Sequence, residues 1–230
     1  DVLGMNDIFE NNLKLEVIQN RVKYLRKYTH KYYKDSKKQY VYSLILFTLY
    51  VENVSLFSQF YTINYFHRFK NCLKDTSQQV AYTSREELIH ALVGVKLINT
   101  IREEHPELFD DELEERIQKS CVAAYHAEAR IIDWTLNEYS SEHLSPDILK
   151  NFIKNRLNES LELIGYKPVF DDIDMSMFED SYMKVIIQNK SNPYLFDLFI
   201  DRLTKTGVHD LQIIEDLFSL DMDNESDIID

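Results

Sequence analysis

The sequence predicts an all-α fold in which long helices pack as a bundle. The 230-residue chain contains only four glycines and four prolines, so turn signals are few. Hydrophobic residues make up 44% of the chain and recur at helical spacing through long stretches, so the helices can bury a core. Because the expected connections are short, consecutive helices should pack as antiparallel neighbours.

The first helix is expected over residues 8–34, where apolar side chains follow a helical period, and residues 34–36 should end it. The stretch from 21 to 42 is basic and aromatic. Such a run can bind nucleic acid, but the formal net charge of −13 for the whole chain favours a solvated helix face. The same charge argues against an anionic membrane as the main partner.

The second helix, expected over residues 37–69, contains one isolated acid. Between Lys38 and Arg68 the only formally charged side chain is Glu52. The length would suit a membrane span, but scattered polar residues and the acid in the middle favour a buried helix of the bundle. The Glu52 carboxylate should then point into the core, where a cation or a hydrogen-bonding side chain must satisfy it.

The third helix, expected over residues 77–104, contains a Glu-x-x-His pair. Asp75 or Thr76 should be its N-cap. Glu87 and His90 lie among small and apolar side chains on one helix face, and residues at i and i+3 point the same way, so both can hold one ion. The alternative is a surface glutamate beside a hydrogen-bonded histidine.

Proline marks the later boundaries. His105 and Pro106 should end the third helix, because the residue before a proline disfavours helix. Residues 166–182 should be irregular and acidic. Three further helices are expected over residues 110–140, 145–164 and 191–203.

A metal site is the sharpest chemical prediction. In an antiparallel hairpin of the second and third helices, Glu52 and Glu87 can reach similar heights. With the His90 imidazole they form a donor set that suits iron or manganese. The chain contains no second Glu-x-x-His, so the site would be incomplete.

The motifs around these residues resemble those of the small (beta) subunit of class I ribonucleotide reductase, a ferritin-like di-metal family. Glu52 matches the single carboxylate of the second half of that fold, and REELIH at 85–90 matches its Arg-acid-Glu-x-x-His string. The resemblance runs from about residue 1 to about 204. Three further stretches resemble the family's later segments: EARIIDW at 128–134, NFIKNRLNESLELIGYKPVF at 151–170 and SNPYLFDLF at 191–199.

The resemblance implies half of a di-iron, or manganese/iron, centre. In the family, an earlier segment supplies another carboxylate, another Glu-x-x-His and usually a radical-bearing tyrosine. Residues 1–12 resemble the segment just after that point, and the chain begins with Asp1 instead of methionine. The chain is therefore expected to be the C-terminal portion of a split or truncated subunit, inactive without its N-terminal part and the large subunit.

The implied activity is that of an oxidoreductase, ribonucleoside-diphosphate reductase, which makes deoxyribonucleotides for DNA replication. The metal centre generates or stores a radical that the large subunit uses. Glu86 occupies the position of a radical-transfer relay acid, although it could be a solvated helix acid, and no catalytic residue is assigned. Two other interpretations stay open: another ferritin-like di-metal oxidase, and a non-catalytic helical interaction module with a vestigial site.

The chain should divide into a bundle domain over residues 1–204 and an acidic, flexible tail over 205–230. After Lys205 there is no lysine or arginine, and eight acidic residues follow. The resemblance implies that the tail binds the large subunit and that the small subunit forms a homodimer; the alternative is a solvated acidic tail. Neither nucleic acid nor membrane is expected as a partner.

Cysteine usage predicts a reducing compartment. Cys72 and Cys121 are far apart in the sequence and have no metal-ligand spacing. They are expected to be reduced thiols of a cytoplasmic protein, because disulfides are rare there. No signal peptide is recognised, which agrees with a cytoplasmic location.

Overall fold

The computed structural model of the protein describes residues 11, 12, 14–29 and 32–178. These residues form α-helices and short helical turns without any strand, which confirms the all-α prediction. The helices are α1 (Glu16–Thr29), α2 (Ser36–Leu46), α3 (Phe57–Lys70), α4 (Lys74–Glu104), α5 (Asp111–Leu136) and α6 (Pro146–Leu163). A π-helical segment spans Phe47–Glu52, and 3₁₀ turns span Pro106–Leu108 and Met175–Phe178.

The ends of α2, α5 and α6 follow from their capping residues. The side chain of Asp35 accepts from the backbone N–H groups of the first turn of α2, and Asp110 accepts from Leu113 at the start of α5. Ser145 accepts from Ile148, which confirms the predicted start of the helix that follows it. In each case a side-chain oxygen satisfies an amide that has no partner inside the helix.

Several of the predicted boundaries are wrong. The first helix, expected over 8–34, spans Glu16–Thr29, and the described residues 32–34 are not helical. The helix expected to reach residue 140 ends at Leu136. The helix expected over 37–69 is not continuous, because α2, the π-helical segment and a turn at 53–56 precede α3. The N-cap of α4 is neither Asp75 nor Thr76: the helix starts at Lys74, after Leu73 in the left-handed region with φ of 60°, and no side chain caps it. The helix expected at 191–203, the tail and the division between 204 and 205 lie outside the described residues.

The core lies between α2, which packs against α4 and α5, and α3, which packs against α4 and α6. It is rich in aromatic side chains, several of which use their hydroxyl groups inside the bundle. Tyr50 donates to the Ile117 carbonyl oxygen at 2.9 Å, and Tyr61 donates to that of His143 at 3.1 Å. Such pairing lets a tyrosine contribute apolar area without leaving its hydroxyl unsatisfied. The largest fully buried side chains are those of Tyr42, Tyr50, Tyr61, Tyr65, Phe57 and Phe152.

Residues 36–70 are long and apolar enough to cross a membrane, by length and composition only. In the part of the chain that the structure describes, this is the one stretch that meets that criterion. The bundle buries 61% of its most apolar window. This degree of burial favours the expected core helix over a membrane span.

Gly165 ends α6 in a Schellman motif. Its φ is +74°, its N–H donates to the Glu162 carbonyl at 2.9 Å, and the N–H of Tyr166 donates to that of Leu161 at 3.0 Å. These two bonds satisfy carbonyls at the end of the helix and require the left-handed conformation that glycine adopts without strain.

Replacing Gly165 by alanine should therefore lower the free energy of unfolding by about 1 kcal/mol, because a Cβ strains the left-handed backbone. Crowding would not contribute, because the nearest atom to an added Cβ is Nη1 of Arg102 at 3.7 Å. Urea denaturation of Gly165→Ala and Gly165→Asn would measure the effect. Asparagine tolerates this conformation better, so equal losses for the two variants would contradict a backbone origin.

Candidate metal centre

A close contact between α4 and the π-helical segment positions the candidate site. Gly94 lies directly against the side chain of Thr48, which is buried. A Cβ added at Gly94 would come within 2.9 Å of the Thr48 Cβ and closer still to its Oγ1. Only glycine allows the two backbones to approach this closely, so this contact fixes the register of the two helical elements.

From that contact, helical geometry brings three polar side chains together. Glu52 lies one turn after Thr48, and His90 lies one turn before Gly94. In antiparallel elements these positions are adjacent, and Glu87 lies one turn beyond His90 on the same face.

The distances agree with this placement of the three side chains. Nδ1 of His90 is 3.4 Å from Oε2 of Glu52 and 3.6 Å from Oε2 of Glu87. One potential ligand atom from each of the three residues lies within 4.8 Å of the other two. The structure therefore brings together the three residues that the sequence singled out, while their binding of a metal stays a prediction.

The predicted burial of this site is wrong. The side chains of Glu52, Glu87 and His90 are 30%, 18% and 61% exposed, so in the described bundle the two acids are only partly buried and His90 is exposed. The reason is the direction of the core. Tyr50 points to Ile117 on α5, and a residue two positions later lies on the opposite side of the helix.

Burial raises the pKa of the Glu87 carboxyl group, and the neighbouring carboxylate of Glu52 raises it further. His90 acts in the opposite direction, lowering the pKa of Glu87. Two acids thus crowd one imidazole, and a cation between them would offset the repulsion of the carboxylates. Two carboxylate oxygens and an imidazole nitrogen fit iron or manganese, so the chemistry of the donor set agrees with the predicted centre.

Glu52 is the last residue of the π-helical segment, which the sequence did not predict. Such segments are rare and are frequent at functional sites. Neither a glycine nor a proline lies near Glu52 to mark the change of helix type. No local sequence signal could therefore have revealed it.

Two other acidic residues, Glu86 and Glu128, lie on the helices described above. Glu86 is exposed on α4, so its expected relay role stays a prediction. Glu128, by contrast, is buried on α5 and pairs with Arg21 of α1, with 2.6 Å between Oε1 and Nη2. The sequence did not predict this ion pair, because Arg21 lies 107 residues away from Glu128.

Comparison with known proteins decides the family. The model of the family described as ribonucleotide reductase, small chain, matches residues 2–176. The chain belongs to this family. Ribonucleoside-diphosphate reductase subunit beta of Chlamydia pneumoniae is 30% identical over 139 residues, which are 57% of this chain and 38% of that protein.

Solved structures agree with the fold of a small-chain family member. A putative class I ribonucleotide reductase from Bacillus halodurans has a TM-score of 0.67 at 17% identity. The match covers 77% of this chain and 56% of the Bacillus halodurans chain. The ribonucleotide reductase R2 subunit from Clostridium botulinum has a TM-score of 0.68 at 20% identity. The match covers 80% of this chain and 57% of the Clostridium botulinum chain. These likenesses confirm the ferritin-like helical fold. The chain spans less than two thirds of the length of each of these relatives.

Proposed function

We propose that this small-chain family member is the C-terminal part of a ribonucleoside-diphosphate reductase small subunit. It would contribute half of a di-metal site that generates or stores the radical used by the large subunit to make deoxyribonucleotides. The observation that carries the proposal is the convergence of Glu52, Glu87 and His90 within 4.8 Å of one another, in a chain of this family.

Each of the three residues has a definite role in this proposal. The carboxylates of Glu52 and Glu87 would bind the metal through oxygen and offset its charge, and the His90 imidazole would supply a nitrogen donor through Nδ1, the atom nearest both acids. The metal, iron or manganese with iron, supplies the oxidation chemistry when it is bound. Glu86 on the same helix would act as the radical-transfer relay acid.

The open side of the site supports a further segment as partner. His90, Val93 and Leu97 follow one exposed stripe of α4, and the latter two are large apolar side chains. Three donors are too few for two metals, for which the ferritin-like pattern requires ligands from four helices. An N-terminal small-subunit segment that covers this stripe would supply the missing ligands and exclude water.

The remaining partners follow from the family. The large subunit would bind through the acidic tail at 205–230, and the small subunit would form a homodimer in the cytoplasm. Neither nucleic acid nor membrane would be involved. Co-purification of a reductase large subunit with the full chain, and its loss when residues 205–230 are removed, would test the tail.

The metal site can be tested by co-expressing the chain with its upstream coding sequence and measuring bound metal. We expect about two metals per assembled unit, as in ferritin-like di-metal proteins. Glu87→Gln should lower that content at least twofold, because the amide cannot replace the anionic ligand. The spectrum of Co(II) added to the metal-free assembly should change as well.

His105 and Glu107 provide a matched control for this measurement. Nδ1 of His105 is 3.2 Å from Oε1 of Glu107, so this exposed pair offers the same donor types, and no third candidate ligand among the described residues joins it. Glu107→Gln should leave the metal content unchanged. An unchanged content in Glu87→Gln would contradict the site, and no metal in the wild-type assembly would favour a helical interaction module.

A further inference from the structure

The helix that holds Glu52 breaks immediately after it. Residues 53–56 form a turn before α3, and the N–H of Phe57 donates to the carbonyl three residues back at 3.1 Å. In a continuous α-helix this N–H would donate to the Asn53 carbonyl, which is buried and needs another donor. Arg156 of α6 supplies it, with Nε 2.9 Å from the Asn53 carbonyl oxygen.

Arg156 also forms a hydrogen bond with the side chain of Asn53. Its Nη2 donates to Oδ1 of Asn53 at 2.8 Å, while Nδ2 of Asn53 donates to Oγ of Ser160 at 2.6 Å. The guanidinium carbon of Arg156 lies 3.5 Å from the centroid of the Phe57 ring, a cation–π contact with the first residue of α3. The break is thus attached to α6 by three hydrogen bonds and one ring contact.

A second arginine donates to the other backbone carbonyl that loses its helical donor at the break. The N–H of Gln59 donates to Leu56 at 3.1 Å, so the carbonyl of Ser55 lacks the donor that a continuous helix would provide. Nη2 of Arg21 on α1 donates to this carbonyl and also pairs with the buried Glu128 of α5. The backbone at the break is therefore held by side chains from α1 and α6, neither of which contributes a donor to the metal site.

Arg156 is placed at a considerable energetic cost. It is 3% exposed, and no carboxylate of the described residues lies within 4 Å of its guanidinium nitrogens. Burial of this cation opposes folding and lowers its pKa to about 10, and the charge of Glu159 only partly offsets that effect. Packing alone would be better served by an apolar side chain, so the hydrogen bonds to Asn53 are the feature that requires arginine here.

We propose that Arg156 and Arg21 are positioning residues that lock the helix break and thereby aim the Glu52 carboxylate at Glu87 and His90. Neither arginine touches the site; Arg156 acts through Asn53, the next residue in the chain. One turn earlier the segment is fixed by the contact of Thr48 with Gly94, so Glu52 is held from both sides. The metal-binding part of this inference rests on the proposed function, whereas the geometric part does not.

Metal affinity in the assembled protein gives the first test. Arg156→Met and the milder Arg156→Lys, which keeps the cation but loses the two-point fork, should each weaken Co(II) binding at least tenfold. Leu149→Ala is the matched control, since this buried residue lies two turns earlier on the same face of α6 and its side chain makes no hydrogen bond to the break. It should lose as much stability as the arginine variants and bind Co(II) as tightly as the wild type.

Cross-linking in the metal-free chain gives the second test. Glu52→Cys and Glu87→Cys are combined in a Cys72→Ser background, which leaves only the buried Cys121. A short bifunctional thiol reagent then reports how often the two side chains meet. Arg156→Lys should slow cross-linking at least threefold, and Leu149→Ala should leave the rate unchanged.

The two measurements separate the two ideas. Absence of Co(II) binding in the wild type would overturn the proposed function, and the cross-linking rates would still decide the role of Arg156. Equal effects of Arg156→Lys and Leu149→Ala on cross-linking would show that Arg156 contributes only stability, which would overturn the inference. Arg21→Lys should repeat the result of Arg156→Lys more weakly, because Arg21 holds a carbonyl farther from Glu52.

Discussion

Replacing Gly94 by alanine should destabilise the protein by about 2 kcal/mol and separate Glu52 from His90. Two opposing effects determine this value. An added methyl group forced into a packed contact costs about 3 kcal/mol, whereas alanine is favoured over glycine inside a helix by about 1 kcal/mol. The clash prevails because the new Cβ would meet Thr48 at its Cβ, which no change of rotamer can move.

Moving the small residue from α4 to the π-helical segment should restore the contact. In the double variant Thr48→Gly/Gly94→Ala, the methyl group lies on α4 instead of on the π-helical segment, and the backbones can keep their distance. Urea denaturation of both single variants and the double variant would give a coupling free energy, expected to be at least about 1.5 kcal/mol in favour of the double variant. A Gly94→Ala variant that is more stable than the wild type would show that helix propensity, not close packing, decides this position.

The features that could be predicted from the sequence are those that depend on residues close together in the chain. The helix starts expected near 110 and 145 agree with the caps that the structure shows at Asp110 and Ser145, and a capping side chain contacts amides only two or three residues away. The pairing of Glu87 with His90 on one helix face follows equally from the helical period. The meeting of Glu52 with this pair was expected from an antiparallel packing of two consecutive helices, and the contact of Thr48 with Gly94 provides the register that this packing needs.

What the sequence could not predict depends on distant partners. The break after Glu52 is stabilised by Arg156, which is 103 residues from Asn53 in the chain, and no glycine or proline marks it. The exposure of His90 was missed for a related reason. A stripe of small and apolar residues indicates that a face can be buried, but it does not say whether its partner lies among the described residues.

Glu128 should make the protein less stable as pH rises from 4.5 to 7. Burial on α5 raises the pKa of its carboxyl group to about 7, and Arg21 only partly opposes this. Between its ordinary value of 4.5 and 7, the folded protein holds a proton that the unfolded chain has released. Rising pH therefore favours the unfolded chain across this interval, by about 3 kcal/mol in total.

Below pH 4.5 the carboxyl group is protonated in both states, and above pH 7 it is ionised in both. The contribution of Glu128 is therefore constant outside the interval. Glu128→Gln removes the titrating group and keeps a similar shape. The stability of this variant relative to wild type should rise by about 3 kcal/mol between pH 4.5 and 7.5, which denaturation in urea at a series of pH values would measure.

Glu115 on the same helix is the control for this slope. Its carboxylate pairs with Lys119 at the surface, which lowers its pKa, so its titration falls below the interval. The stability of Glu115→Gln relative to wild type should be flat from pH 5 to 8. The sign of the change in relative stability of Glu128→Gln with pH then decides whether burial or the pairing with Arg21 is stronger. If the relative stability falls as pH rises, the pairing with Arg21 outweighs burial. Glu128 would then be ionised whenever it holds Arg21 at the break beside Glu52.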